Sequence, residues 1–206
     1  MVKNKEYWDN FYKSNLSKTL STNSDFSTFV LGRVLDIPKS KELSLVDLGC
    51  GNGKDTIFFV NNKIDAEGID LSIDSDLPYI KQGDALSISK PYDIYYLRFF
   101  IHTLIEEDVD RLFSNIFNTM KQSSLIFLET RSSKGITNQP YSETNFRSSI
   151  GDEHHRTLYS LDYLSSKVSE YFDIEFSVEQ QGLAIFREEN PYIIRMIAKK
   201  KRTNND

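Results

Sequence analysis

One cysteine, five prolines and nine glycines are spread over 206 residues. A lone cysteine makes no internal disulfide, so nothing ties the chain to an oxidising compartment. So little proline and glycine excludes collagen-like, linker-like and low-complexity organisation. No run approaches the roughly 18 consecutive apolar residues of a membrane helix. The opening MVKNKEYWDN carries no apolar signal core. A cytoplasmic protein without a membrane span is expected. An excess of positive charge is missing too: 25 Lys and Arg against 30 Asp and Glu leave a net charge of −5. That balance argues against a nucleic-acid partner held by bulk charge, though not against one basic cleft. No internal repeat shows at periods of about 20 to 50 residues.

What is present fits one sizeable globular domain, with 39% hydrophobic and 13% aromatic residues. Residues 1–42 read as an N-terminal cap and loop, 43–200 as the core and 201–206 as a tail. The Ser-, Thr- and Asn-rich stretch 13–28 reads as a mobile lead-in loop, and the polar end 199–206 as fraying. Between them strands alternate with helices. LSLVDLG (43–49), AEGIDLS (66–72), YIKQGDA (79–85), YDIYYLRF (92–99) and SSLIFLET (123–130) read as strands. Lys54 to Asn61 reads as a helix, and so does 106–121, with Val109, Leu112, Phe113, Ile116, Phe117 and Met120 on one face. Another runs from Leu161 to Tyr171 behind Ser160 as N-cap. Two closing strands, 172–180 and 191–200, have no helix between them and form an antiparallel hairpin. The alternation implies an α/β fold with a mostly parallel sheet covered on both faces.

The sharpest local signal is VDLGCGNGKD (46–55), a strand entering Gly49-x-Gly51-x-Gly53. Glycines so spaced turn the backbone tightly and let it approach a ligand without Cβ clashes. The turn lacks the Lys-Ser/Thr of a P-loop and the spacing of a dinucleotide site. Asp47 precedes the first glycine by two residues, and Asp70 ends the second strand 17 residues beyond Gly53. In nucleotide-binding α/β folds that is where a carboxylate meets ribose hydroxyls. Asp84 and Ala85 follow the third strand, placed to face an adenine ring.

With VDLGCGNG, GIDLS, QGDA and PYDIYYLRF in that order over residues 43–130, the chain resembles the class I S-adenosylmethionine-dependent methyltransferases. EYWDNFY (6–12) is similar to the cap segment of many small members. The resemblance implies a Rossmann-like seven-stranded sheet of order 3-2-1-4-5-7-6 with S-adenosylmethionine over the carboxyl ends of its strands. It implies that Asp47, Gly49, Gly51 and Gly53 surround the methionine part, that Asp70 holds the ribose, and that Asp84 and Ala85 meet the adenine. One departure stands out. Only SIDSDLP (72–78) separates the second and third strands, too few residues for a crossover helix, so the adenine side is either open or covered by another segment.

The acceptor is expected at the rim above the cofactor, after strands four and five and in 131–160. Arg98 and His102 follow strand four, Arg131 ends strand five, and GDEHHRTLYS (151–160) brings His154, His155 and Arg156 together. So many basic groups at one rim of an acidic protein suggest an anionic acceptor, since guanidinium groups bind phosphate or carboxylate through paired hydrogen bonds. The alternative is ion pairing of these arginines with Glu129, Glu143, Asp152 or Glu153. A phosphoryl oxygen would need no base, and His102 or His154 would donate hydrogen bonds to it. For a sugar hydroxyl one of these histidines would be the general base. RFFIHTL, ETRS, HHR and GLAIFREENPYIIRMIAKK look like small methyltransferases of bacterial capsule and lipopolysaccharide synthesis, some of which act on phosphate groups or sugar hydroxyls. An N- or O-methyltransferase of another small metabolite, and a non-catalytic cofactor-binding subunit docked on a partner enzyme, are the alternatives. A nucleic-acid methyltransferase is disfavoured, because strand four ends in YLRF and not in an Asp-Pro-Pro-Tyr-type tetrapeptide. No Cys, His and Asp spacing suggests a metal site.

Overall fold

A computed structural model describes residues 5–13, 22–37, 43–73, 75–147 and 153–202. Its main sheet contains β1 (Ser44–Leu48), β2 (Asp65–Asp70), β3 (Ile80–Gln82), β4 (Ile94–Arg98), β5 (Leu125–Arg131), β8 (Phe172–Gln180) and β9 (Ile193–Lys200). They lie in the order β3-β2-β1-β4-β5-β9-β8. The first five are parallel, while β9 runs antiparallel to both β5 and β8. Numbered within this sheet alone, that is the 3-2-1-4-5-7-6 order implied by the sequence. The remaining two strands, β6 (Tyr141–Phe146) and β7 (His154–Tyr159), pair antiparallel as a separate hairpin.

Strand alternation sends side chains to two cores. Leu45, Ile94, Tyr96, Phe127 and Ile197 point to one face, where they meet α2 (Asp25–Leu35) and α3 (Lys54–Asn61) through Phe26, Val30, Val34 and Phe59. Val46, Leu48, Tyr95, Leu97, Ile126, Leu128, Ile194 and Met196 point to the other. There α4 (Glu106–Thr119) and α5 (Leu161–Val168) supply Val109, Leu112, Phe113, Ile116, Leu164 and Val168. Each such side chain contributes roughly 1.5–3 kcal/mol by leaving water. Three acids, Glu106, Glu107 and Asp108, open α4 where the helix dipole favours them. Ser160 caps α5 by accepting from the Tyr163 N–H.

The expected lead-in loop 13–28 needs correction at its end. Residues 25–28 form the first turn of α2, because the Ser24 hydroxyl accepts from the Ser27 N–H and starts the helix. Residues 14–21 and the end of the expected tail, 203–206, lie outside the described residues. Upstream, α1 (Lys5–Lys13) carries the aromatic cap segment. The link between β2 and β3 holds no helix among the described residues, as its length required.

Candidate active site

The chain leaves β1 into a turn built on left-handed backbone. Gly49, Gly51 and Gly53 have φ of +71°, +56° and +73°, a region costing other residues about 1–2 kcal/mol. Space matters as well: a Cβ on Gly49 would strike the Phe100 ring, and one on Gly51 the Tyr12 hydroxyl. Gly53 is the N-cap of α3 and offers no side-chain hydrogen bond, so the turn opens into the helix N-terminus. Asp70 closes the turn from the end of β2. Its Oδ2 accepts from the Gly51 N–H at 2.9 Å and its Oδ1 from the Ser72 N–H at 2.8 Å. Asp47 is buried beneath the turn and accepts from the Thr56 hydroxyl at 2.7 Å. Burial, with Asp55 nearby, pushes the Asp47 carboxyl up to about 8.

Two clefts meet over this turn, with Gly49, Phe99, Trp8 and Tyr12 lining both. The smaller, about 70 Å³, runs past Asp70, Leu71, Asp84 and Ala85. Its open side, where the crossover helix is missing, is lined by Lys5, Trp8 and Tyr12 of α1. Asp9 of α1 hydrogen-bonds Ser72 in that short link. The Asp84 carboxylate accepts from the Leu86 N–H at 2.9 Å and lies 3.5 Å from Arg111. The larger cleft, about 390 Å³, is lined by Asp47, Gly49, Gly51, Lys54, Arg98, His102, Arg131 and Arg156, among others.

Four of the six predicted basic residues reach this second cleft, in different states. Arg98 donates to Glu129 Oε1 at 3.0 Å and lies 4.0 Å from Asp55. Burial opposes its charge, but Glu129, Tyr96 and Asp55 outweigh it and hold its pKa above the ordinary range. Arg131 donates to Glu189 at 2.8 Å. His102 is buried, and Nδ1 lies 3.4 Å from the Arg131 backbone N–H and 3.3 Å from the Thr130 hydroxyl. Burial, followed by Arg156 and Arg131, depresses its pKa well below the usual imidazole value. Arg156 stands apart. Its guanidinium sits 5.2 Å from the Trp8 ring centre, and Nε and Nη1 have no hydrogen-bond partner among the described residues. Burial and neighbouring Arg131 bring its pKa down to about 9.

His154 and His155 do not line either cleft. The His154 ring stacks on Tyr7 with centres 4.1 Å apart and meets Trp8 edge-on, so it joins the hairpin to α1. His155 Nε2 lies 3.3 Å from the Thr157 hydroxyl and 3.9 Å from Glu143. Asp152, a suggested pairing partner, lies outside the described residues. Gly53 lines neither cleft and acts through the shape of the turn.

Three contributors were not read from the sequence. Asp55 accepts from the Ser24 N–H, the Ser24 hydroxyl and the Tyr96 hydroxyl, each at 2.7 Å, forming a polar wall of the larger cleft. Leu183, Ala184, Ile185 and Phe186, between β8 and β9, line its other side. That loop is tied down by Arg195, which donates to Glu129 at 2.6 Å and to the Leu183 carbonyl at 2.8 Å. The only hint was compositional: an arginine inside the apolar run IIRMIA requires a buried acceptor.

The family profile described as "Methyltransferase domain" matches residues 12–171. No curated protein matches the sequence. Among solved structures, the fold is similar to the glycopeptide N-methyltransferase MtfA complexed with S-adenosylmethionine, at 13% identity and a TM-score of 0.64. That match covers 87% of this chain and 97% of the other. Burkholderia thailandensis 1,6-didemethyltoxoflavin-N1-methyltransferase, with bound 1,6-didemethyltoxoflavin and S-adenosylhomocysteine, matches at 12% identity and a TM-score of 0.67, over 86% and 77% of the two chains. The PH0226 protein of Pyrococcus horikoshii OT3 matches at 16% identity and 0.62, over 86% and 94%.

Proposed function

The chain belongs to the methyltransferase-domain family, and on that premise we propose that it transfers a methyl group from S-adenosylmethionine to a small anionic acceptor. The residues present fit the cofactor. Gly49 and Gly51 bring bare backbone to the cleft walls, and Asp70, Asp84 and Ala85 line the smaller cleft, which shares Gly49 with the larger one. In this reading Asp47, Gly49 and Gly51 hold the methionine end, with Gly53 shaping the turn; Asp70 holds the ribose, and Asp84 with Ala85 the adenine. When bound, the cofactor supplies an electrophilic methyl carbon, which takes up an acceptor lone pair as the sulfonium bond breaks and its electron pair stays on sulfur.

The observation that carries an anionic acceptor is Arg156. A buried guanidinium with two nitrogens unpartnered among the described residues costs free energy unless a ligand satisfies it. Lys54 lines the same cleft, as do Arg98 and Arg131, each already paired with a carboxylate. The acceptor is phosphate- or sugar-containing and belongs to bacterial surface-polysaccharide synthesis, a setting supported by the sequence resemblance of RFFIHTL and the C-terminal segment. We place the reaction in the cytoplasm, within a single domain and without nucleic acid; no helix among the described residues is long and apolar enough to cross a membrane.

Titration calorimetry with S-adenosylhomocysteine, repeated in inorganic phosphate and simple phosphorylated sugars, tests both halves. Micromolar binding of the nucleoside and a phosphate-dependent change in its heat are expected. No binding would overturn the cofactor assignment, and indifference to phosphate would overturn the anionic acceptor.

A further inference from the structure

The two nitrogens of the His102 ring have different surroundings. Nδ1 faces into the fold, where it meets the Arg131 backbone N–H at 3.4 Å and the Thr130 hydroxyl at 3.3 Å. A backbone N–H only donates, so Nδ1 must be the acceptor, and the Thr130 hydroxyl donates to it as well. In a neutral imidazole the proton then resides on Nε2. Nε2 is therefore the polar atom that His102 offers to the cleft it lines.

We infer that His102 is locked as an Nε2–H donor and that, with Arg156, it holds an ionised oxygen of the acceptor, a carboxylate or phosphate, which takes the methyl group without giving a proton to His102. This rests on the acceptor reading of the larger cleft. A general base needs a free lone pair facing the substrate, and here the lone pair of the neutral ring is already occupied by the Arg131 amide. A proton on Nδ1 would leave that buried amide facing an N–H, and turning the ring over would leave it facing a C–H.

The charged and titratable groups facing His102 reinforce the neutral form. The largest influences come from Arg156 and His154 on β7, Arg131 on β5 and Arg98 on β4, none of them acidic. Phe99 covers one side of the ring with centres 5.3 Å apart. A second proton would add a cation to a buried cluster of guanidiniums, and burial already opposes it. Of the three carboxylates that line the cleft, Asp55 is committed to three donors and Asp47 to Thr56, and Asp25 is exposed to solvent in the first turn of α2. An acceptor oxygen that arrives ionised has no proton to lose, so methylation neutralises one negative charge and leaves an ester. A carboxylate would become a methyl ester, and a phosphate monoester would become a mixed diester.

Long-range proton–nitrogen correlation spectra of protein labelled with ¹⁵N-histidine test this directly, since the chain has three histidines and His102→Gln identifies one. The expected pattern at pH 7.5 is a bare Nδ1 and a protonated Nε2 for His102, unchanged between pH 6 and pH 8. Inorganic phosphate and acetate are then added separately to protein saturated with S-adenosylhomocysteine. One of them is expected to shift the Nε2 signal, and Arg156→Met is expected to abolish that shift. Whichever anion acts identifies the acceptor class. A proton on Nδ1, or titration within that pH range, would overturn the donor assignment. A correct tautomer that neither anion perturbs would overturn the oxyanion pair. Absence of S-adenosylhomocysteine binding would count against the proposed function instead, because the tautomer is read without it. In calorimetry of the same anion, His102→Gln, which keeps an N–H near Nε2, is expected to bind within about threefold of the wild type, whereas His102→Phe binds at least tenfold more weakly.

Discussion

Replacing Arg156 by methionine is expected to make the protein more stable and less able to bind an anion. The side chain is 7% exposed, and Nε and Nη1 lack partners among the described residues. Burial and Arg131 draw its pKa down to about 9. At about 1.4 kcal/mol per tenfold change, that corresponds to roughly 4–5 kcal/mol against the charged folded form. The guanidinium is charged below that value, so the folded state carries this penalty through neutral pH. Methionine keeps an unbranched chain of similar reach and removes the charge. Two losses offset the gain: the contact of the guanidinium with Trp8, 5.2 Å away, at about 1–2 kcal/mol, and some packing, at about 1 kcal/mol. The net gain is about 1–3 kcal/mol, which raises Tm by roughly 3–10 °C for a chain of this size. Thermal and urea unfolding at pH 7.5 and low salt read it out, with and without phosphate. Phosphate is expected to raise the Tm of the wild type and to leave the variant unchanged. A loss of 1 kcal/mol or more in the variant would refute the reasoning, because Arg156 would then be holding the fold together.

Asp47→Asn is expected to flatten the pH dependence of stability. Because burial and Asp55 raise the native carboxyl to about 8, the native state retains a proton that the unfolded chain releases above about pH 4. Stability therefore falls as pH rises towards 8, and the variant is expected to gain about 4 kcal/mol on the wild type between pH 5 and pH 8. Urea midpoints across that range check it, and a constant difference would reject the assignment. Gly49→Ala forces a Cβ at φ +71° into the Phe100 ring. We expect a loss of at least 2 kcal/mol in stability and at least tenfold weaker binding of S-adenosylhomocysteine; unchanged affinity in calorimetry would show that the turn does not touch the ligand.

Much of the fold was legible because its signals are local. The central parallel strands β1, β4 and β5 are short runs buried on both faces, so they announce themselves without context. The glycine turn, Asp47 in β1, Asp70 at the end of β2 and Asp84 after β3 lie at fixed distances along the chain, so these cleft-lining carboxylates could be picked out residue by residue. The hairpin of β6 and β7 could not. All six residues of β7 are buried, yet the segment reads HHRTLY, with neither an apolar run nor alternation. Its burial comes from outside the strand: α1 stacks on it through Tyr7 and His154.

Residue types alone put six basic groups at one rim, but determined neither which of them reach the cleft nor their states. Sequence spacing placed Arg98, His102, Arg131 and Arg156 near one another. Only the tertiary structure paired Arg98 with Glu129 and Arg131 with Glu189, left Arg156 buried with two nitrogens unpartnered among the described residues, and turned His154 and His155 away from the cleft. The physical reason is range. Turn geometry and hydrophobic period act over a few neighbouring residues and are written in sequence order. Desolvation and ion pairing depend on which side chains converge from distant strands, and that is decided when β4, β5, β7 and β9 come together.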